Sequence, residues 1–338
     1  MILECSDLAL GMRLGQTTAN RQISVRVKTL VHFTGENSVP RGALPCPFDC
    51  QFSTAFFDHH FCFGFLCKLD LPKIEPIHSI PTQRTNMSLQ EIRDELLSLS
   101  RFLGEEQRDL AILGEGNTSA KIDEGSFLVK ASGSCLQTLS ENDVVACQFD
   151  KLLPMLDKDN LSDQDIEDHL LACRVDTASK KPSVETLFHA YLLSLPDINF
   201  VGHTHSIPVN QILCSPMAEK FATSKLFPDE IVCCGAQSVF VPYTDPGLKL
   251  SQTIRDKTAA FMEEFGAPPR VILLASHGII TLGKTSGAVK AAMLMAHKSA
   301  QIFVGAAALG GPVFMTADDV DRIANRIDEH YRQRALKL

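Results

Sequence analysis

The sequence predicts an α/β protein in which one sheet lies between layers of helices. Two observations carry that prediction. From residue 88 onward, short apolar runs of strand type alternate with longer segments of helical spacing, the pattern of a layered α/β fold. Two of the apolar runs, "INFVGHTH" and "RVILLASHG", read as buried strands and end in histidine, so chemistry sits where strands leave the core.

The 338 residues divide into two unequal parts. Residues 1–86 hold Cys5, Cys46, Cys50, Cys62 and Cys67 and a phenylalanine-rich stretch from Phe52 to Phe65. They show no useful helical or alternating period and end in the proline-spaced "LPKIEPIHSIPTQRTN". They read as a weakly ordered extension. Its "DHHFCFGFLC" lacks the ligand spacing of a zinc module.

Residues 87–338 read as the folded domain. Ser88 with Glu91 forms a capping-box signature, and Leu89, Ile92, Leu96, Leu99 and Leu103 follow at helical spacing. "TSAKIDEGSFLVKAS" is a hairpin turning at Asp123-Glu124-Gly125. "DVVACQF" is a strand, "SDQDIEDHLLACRV" a capped helix and "SVETLFHAYLLSL" a second helix. "INFVGHTH" is a strand, "GLKLSQTIRDKTAAFMEEFG" a helix closed by Gly266, and "RVILLASHG" a strand. "SGAVKAAMLMAHKSAQIFVGAAALG" and "TADDVDRIANRIDEHYRQRALK" are the two final helices.

Composition removes several classes of function. The net charge is −8 with no basic cluster, so nucleic acid is not an expected partner. No apolar run is long enough to span a bilayer. Glu4 and Asp7 interrupt the N-terminus, so a secretory signal is not expected. The 11 cysteines follow no disulfide framework, which points to a reducing, cytoplasmic setting.

The chemistry gathers at the histidines. Residues at i and i+2 of a strand point the same way, so His203 and His205 aim two imidazoles at one place. His277 ends a second strand and supplies a third. Three imidazoles leave one position open, the arrangement of a catalytic zinc site. Pro182 sits near a helix start, with Ser183 as N-cap and Glu185 in the first turn beside the positive end of the helix. Dipole complementation alone would explain Glu185. His189, one turn on, reads as a supporting residue rather than a fourth ligand. "LGEGNTSAK" and "KASGSCL" are short loops rich in glycine and hydroxyls. The first offers Gly114, Gly116, Asn117, Thr118 and Ser119 and the second Ser132, Gly133 and Ser134 as donors to an anion, with Ser183 at a helix N-terminus a third donor of the right type.

The ordered set "GNTS", "KASGS", "KPSVE", "HTHS" and "SHGI" resembles the class II aldolase/adducin family over roughly residues 88–335. This group includes fuculose- and rhamnulose-phosphate aldolases and ribulose-phosphate 4-epimerases. "GNTSAK" with "VKASGS" is most similar to the aldolase half of bifunctional sugar aldolase–dehydrogenases. The resemblance implies a three-layer αβα sandwich with a mixed central sheet, and a homotetramer with its site at a subunit interface. It implies a divalent metal, zinc foremost with manganese or cobalt as alternatives, on His203, His205 and His277. Glu185 would be resting ligand and base, and Asn117, Ser132, Gly133 and Ser183 would hold the substrate phosphate.

The implied activity is a metal-dependent aldehyde-lyase cleaving a small ketose phosphate or related keto-acid through an enediolate. The same site serves a 3-oxo phospho-acid decarboxylase or a sugar-phosphate 4-epimerase, although the epimerase pattern has aspartate in place of Glu185. A non-catalytic adducin-like binding module is the alternative of another class, disfavoured by the retained histidines and glutamate. Two departures stand out. Val184 replaces the second serine that commonly precedes the glutamate. The chain's tyrosines are Tyr191, Tyr243 and Tyr331, of which Tyr331 is the candidate proton donor.

Overall fold

The computed structural model describes residues 50–57, 60–67 and 87–335. The chain forms two compact units, Met1–Thr82 and Gln83–Leu338. In the first, β1 (Cys50–Phe57) and β2 (His60–Cys67) pair antiparallel, in a stretch whose sequence shows no strand period of useful length. The expectation of weak order for the rest of residues 1–86 lies outside the described residues.

The second unit begins with α1 (Leu89–Leu103), whose N-terminus carries the predicted capping box between Ser88 and Glu91. The predicted hairpin follows as β3 (Asn117–Lys121) and β4 (Ser126–Lys130), then β5 (Val144–Gln148). Next come α2 (Phe149–Leu152), α3 (Asp163–Ala172), α4 (Thr186–Ser194) and β6 (Phe200–Thr204). Three short helices, α5 (Ile207–Leu213), α6 (Ala218–Ala222) and α7 (Pro228–Cys234), lead to β7 (Val239–Val241). Then follow α8 (Leu248–Phe265), β8 (Val271–Leu274), β9 (Gly278–Gly283), α9 (Ser286–Ala307), α10 (Ala317–Ala324) and α11 (Ile327–Ala335). Gly266 closes α8 in the left-handed conformation that its position predicts.

The sheet runs β5-β4-β3-β6-β9-β8-β7. Every neighbouring pair is antiparallel except β7 with β8, so the sheet is mixed. Side chains alternate between its faces. Phe127, Val129, Val201, Ile272, Leu274, Ile280 and Leu282 pack under α2, α3, α4 and α8. Leu128, Phe200, Val271, Leu273 and Ile279 pack under α1, α5, α6, α7 and α9. The result is the three-layer αβα sandwich. Among the described residues no helix is long and apolar enough to cross a membrane.

Three details differ from the sequence reading. "RVILLASHG" is not one strand: β8 stops at Leu274, and Ser276 takes φ 53 in a tight turn that starts β9 antiparallel at Gly278. Apolar residues flank this turn on both sides, so hydropathy does not mark it. "TADDVDRIANRIDEHYRQRALK" breaks near Asn325 into α10 and α11. The elements between Ile207 and Val241 are each at most 7 residues long, too short to show a helical or strand period.

Candidate metal centre

β6 is the middle strand of the sheet. His203 faces the same layer as Val201, two residues earlier, and inherits its burial. Its ring is fully buried and meets the Phe188 ring edge-on at 5.7 Å. His205 follows the strand, its backbone N–H held by the Leu110 carbonyl at 2.9 Å. His277 arrives on the β8–β9 turn, where Asn210 Nδ2 donates to its carbonyl at 3.0 Å. The three rings are 5.0, 5.0 and 5.1 Å apart, and one ligand nitrogen of each lies within 4.8 Å of the others.

Hydrogen bonding decides which nitrogens face inward. His203 Nδ1 donates to the Ile279 carbonyl at 3.0 Å, which leaves the Nε2 lone pair for the centre. His205 turns Nδ1 toward Glu115 Oε1 at 3.6 Å and brings Nε2 to 3.2 Å from His203 Nε2. Burial lowers the pKa of His203 to about 4 against the pull of Glu185. Burial and then His277 lower that of His205. The rings of His203 and His205 are therefore neutral near pH 7, and ring nitrogens of all three histidines converge at one point. That donor set fits a divalent cation of the zinc type. Gly116 permits the packing. At φ +66, a Cβ there would lie 2.6 Å from the His203 carbonyl oxygen.

Glu185 brings a carboxylate to the same point. Its Oε1 is 3.2 Å from His277 Nε2 and 3.6 Å from His203 Nε2, and its Oε2 accepts from Asn117 Nδ2. Burial works against its charge, but His203, His277 and Asn117 outweigh it and hold the carboxyl well below the usual range. The helix start differs from expectation. Glu185 itself is the N-cap of α4, because Ser183 closes a separate turn in which its Oγ accepts the Glu185 N–H at 3.3 Å.

His189 does not join the histidine cluster. It is fully buried, with Nδ1 2.6 Å from Ser119 Oγ and Nε2 bonded to Asn117 Oδ1. Asn117 is thus engaged at both ends of its amide and is 3% exposed. The other predicted anion donors are brought together. Ser132 N donates to the Lys181 carbonyl at 2.9 Å beside an Ala131–Pro182 bridge, which sets the Gly133 loop next to Ser183. Buried Lys130 draws in the first loop, donating from Nζ to the carbonyls of Gly114 at 3.0 Å and Ser134 at 2.6 Å.

Tyr331 is not part of this gathering. It is 69% exposed on α11, which packs on α7. Tyr191 donates to the Arg255 carbonyl, and Tyr243 is exposed beside Asp245. Three contributors escaped the sequence reading: Glu115, Lys130 and Asn210. Lys130 ends an apolar strand, and a lysine in that setting signals a buried charge with fixed partners. Glu115 lies in a glycine-punctuated loop and Asn210 in the short α5, and neither setting marks a partner of the cluster.

Fold and site together define a mixed-sheet αβα protein whose three-histidine cluster could hold a divalent ion. The chain belongs to the class II aldolase and adducin family: residues 94–304 match the family described as "Class II Aldolase and Adducin N-terminal domain". A Bacillus subtilis protein named "Uncharacterized oxidoreductase YuxG" is 31% identical over 201 residues, which are 57% of this chain and 27% of that one. The chain thus spans about a quarter of that relative's length. The 3-oxo-tetronate 4-phosphate decarboxylase of Pectobacterium atrosepticum is 25% identical over 252 residues, 73% of this chain and 99% of that one. The N-terminal class II aldolase domain of a conserved protein from Thermoplasma acidophilum matches with TM-score 0.52 and 26% identity, covering 64% of this chain and 96% of that one.

Proposed function

We propose that this chain is a divalent-metal-dependent lyase that breaks a carbon–carbon bond near the carbonyl of a small phosphorylated ketose or 3-oxo acid. The observation that carries this reading is the convergence of His203, His205 and His277 with Glu185 Oε1. His203, His205 and His277 would hold the metal, zinc foremost, with Glu185 beside it. A bound divalent ion supplies Lewis-acid chemistry, drawing charge onto the substrate carbonyl oxygen as the bond breaks. Glu185 holds or moves a proton at Oε1, the oxygen not engaged by Asn117. Ser132, Gly133 and Ser183 hold the phosphate, in a cradle whose two loops Lys130 ties together. The fully buried His203 edge of the site excludes water on the core side.

Two lyase reactions share this machinery, and one observation favours decarboxylation. Aldol cleavage needs an acid–base group at the aldehyde-side oxygen, and no tyrosine hydroxyl of this chain joins the cluster. Loss of carbon dioxide from a 3-oxo acid needs no such group: the breaking bond's electron pair passes toward the carbonyl, and a proton replaces the carboxylate. The Pectobacterium relative, matched over 99% of its length, carries a decarboxylase name. The alternative, aldehyde release from a ketose phosphate, takes its tyrosine from a neighbouring subunit of the proposed homotetramer. The test is to incubate the zinc-loaded protein with 3-oxo-tetronate 4-phosphate and with ketose 1-phosphates. Carbon dioxide from the first supports decarboxylation, and a trappable aldehyde from the second supports aldol cleavage. Neither product from either class of substrate would overturn the lyase reading.

A further inference from the structure

A hydrogen-bonded chain runs behind the histidine cluster from β3 to Glu185. Its order follows from donor and acceptor capacity alone. The Glu185 carboxylate accepts only, so Asn117 must present Nδ2 to Oε2. Asn117 Oδ1 then faces His189 Nε2, which must carry the proton. In a neutral imidazole the other nitrogen has none, so Nδ1 accepts from Ser119 Oγ at 2.6 Å. Ser119, Asn117 and His189 are all nearly or fully buried, where a polar group left without a partner is costly. Ser119 and Asn117 lie two residues apart on β3 and therefore point to the same face. His189 is one turn from Glu185 on α4, which places it opposite both of them.

We propose that His189 is a positioning residue that sets Glu185 through Asn117. By fixing which end of the Asn117 amide faces the carboxylate, His189 engages Oε2 and leaves Oε1 directed at the histidine nitrogens. With His189 lacking a donor, the Asn117 amide can reverse, presenting Oδ1 to the carboxylate and displacing it from the centre. The inference rests on the reading of Glu185 as metal neighbour and proton carrier. It also gives Asn117 a role different from the phosphate contact that the resemblance implies.

The test compares His189→Met, which keeps the bulk and loses the donor, with His189→Gln, which keeps a donor. Two readouts are taken on full-length protein whose circular dichroism matches wild type. Zinc affinity, by competition with a chelating dye, should fall about 10–100-fold in His189→Met and recover toward wild type in His189→Gln. Under saturating zinc, kcat should fall over a similar range with KM nearly unchanged, with the same recovery. In wild-type protein, long-range ¹⁵N–¹H correlation should show His189 as a single Nε2–H tautomer. The inference is overturned by an Nδ1–H tautomer, by unchanged zinc affinity and kcat in His189→Met, or by His189→Gln being as defective as His189→Met. Should His189→Met not fold, Ser119→Ala substitutes for it, with a loosened His189 tautomer expected and an unchanged one counting against the chain. Absence of turnover in wild type, with the zinc and tautomer results as expected, would overturn the lyase assignment and leave the positioning role standing.

Discussion

Gly278 lies so close to Thr204 that a Cβ on it would be 2.5 Å from the Thr204 carbonyl oxygen. The same Cβ would be 3.0 Å from His205 Cδ2 and 3.1 Å from His203 Cε1. The first residue of β9 must therefore be glycine for both rings to keep their places. Gly278→Ala should cost about 1–3 kcal/mol through overpacking. It should also lower the zinc content per chain, because the clash falls on two of the three imidazoles. Thermal unfolding and metal analysis on the same sample check this, and normal zinc content with normal stability would contradict it.

Zinc should bind at about one ion per chain and raise the unfolding temperature of the protein, since it binds the folded state. His203→Ala should abolish both effects, removing a fully buried ligand that no neighbour can replace. Inductively coupled plasma mass spectrometry gives the stoichiometry. A variant that retains full zinc would show that the ion sits elsewhere.

Glu185→Gln keeps the size of the side chain and removes its charge and its basic oxygen. The fold and much of the metal affinity should survive, while turnover falls by about 10²–10⁴-fold, the usual worth of a general acid–base group. Steady-state kinetics at saturating zinc reads the loss. A variant with wild-type rates would remove Glu185 from the proton transfer.

Acid should weaken the metal-free protein early. Burial holds His203 at about 4 and His189 at about 3, both below the ordinary 6.5. Each binds more protons unfolded than folded in that interval, so stability rises with pH and is lost as pH falls through about 6.5 toward about 4. Glu185, also depressed, adds to the loss at the acid end of the window. Urea midpoints measured from about pH 7.5 down to pH 5 should fall steadily, and the slope should shrink in His189→Gln. A flat profile would mean these rings are not buried neutral.

A chain beginning at Met87 should fold as residues 87–338 do in the full protein. The capping box at Ser88 starts α1 locally, and Met87 packs against Ile92 and its neighbours in that core. Circular dichroism and size-exclusion chromatography compare the two forms. Loss of folding would assign residues 1–86 a structural part.

The sequence made the long elements and the histidine cluster readable for definite reasons. Side-chain period places His203 and His205 together without knowledge of the fold, and Ser88, Ser162 and Gly266 mark helix ends by local hydrogen bonding that neighbours alone determine. The reversal at Ser276 was hidden because both flanking strands are buried and uniformly apolar. The bond from Asn117 to Glu185 was hidden because an amide reads the same whether its partner is a carboxylate of the chain or a bound anion. Only the pairing of Asn117 with His203 across β3 and β6 brings it under α4. The clamp at Lys130 depends on two carbonyls, and carbonyls have no signature in the sequence.

The bond from His203 Nδ1 to the Ile279 carbonyl joins residues 76 apart along the chain. Of the three clustered histidines only His203 and His205 lie near each other in sequence, and in an unfolded chain they make a weak and floppy chelate. The third arm arrives when β6 and β9 zip together, after a long loop has closed at its entropic cost. A metal held by these three histidines would therefore not seed this protein's assembly, as it does in a zinc finger. A bound ion would act as a late latch, slowing escape from the finished state more than it hastens arrival there.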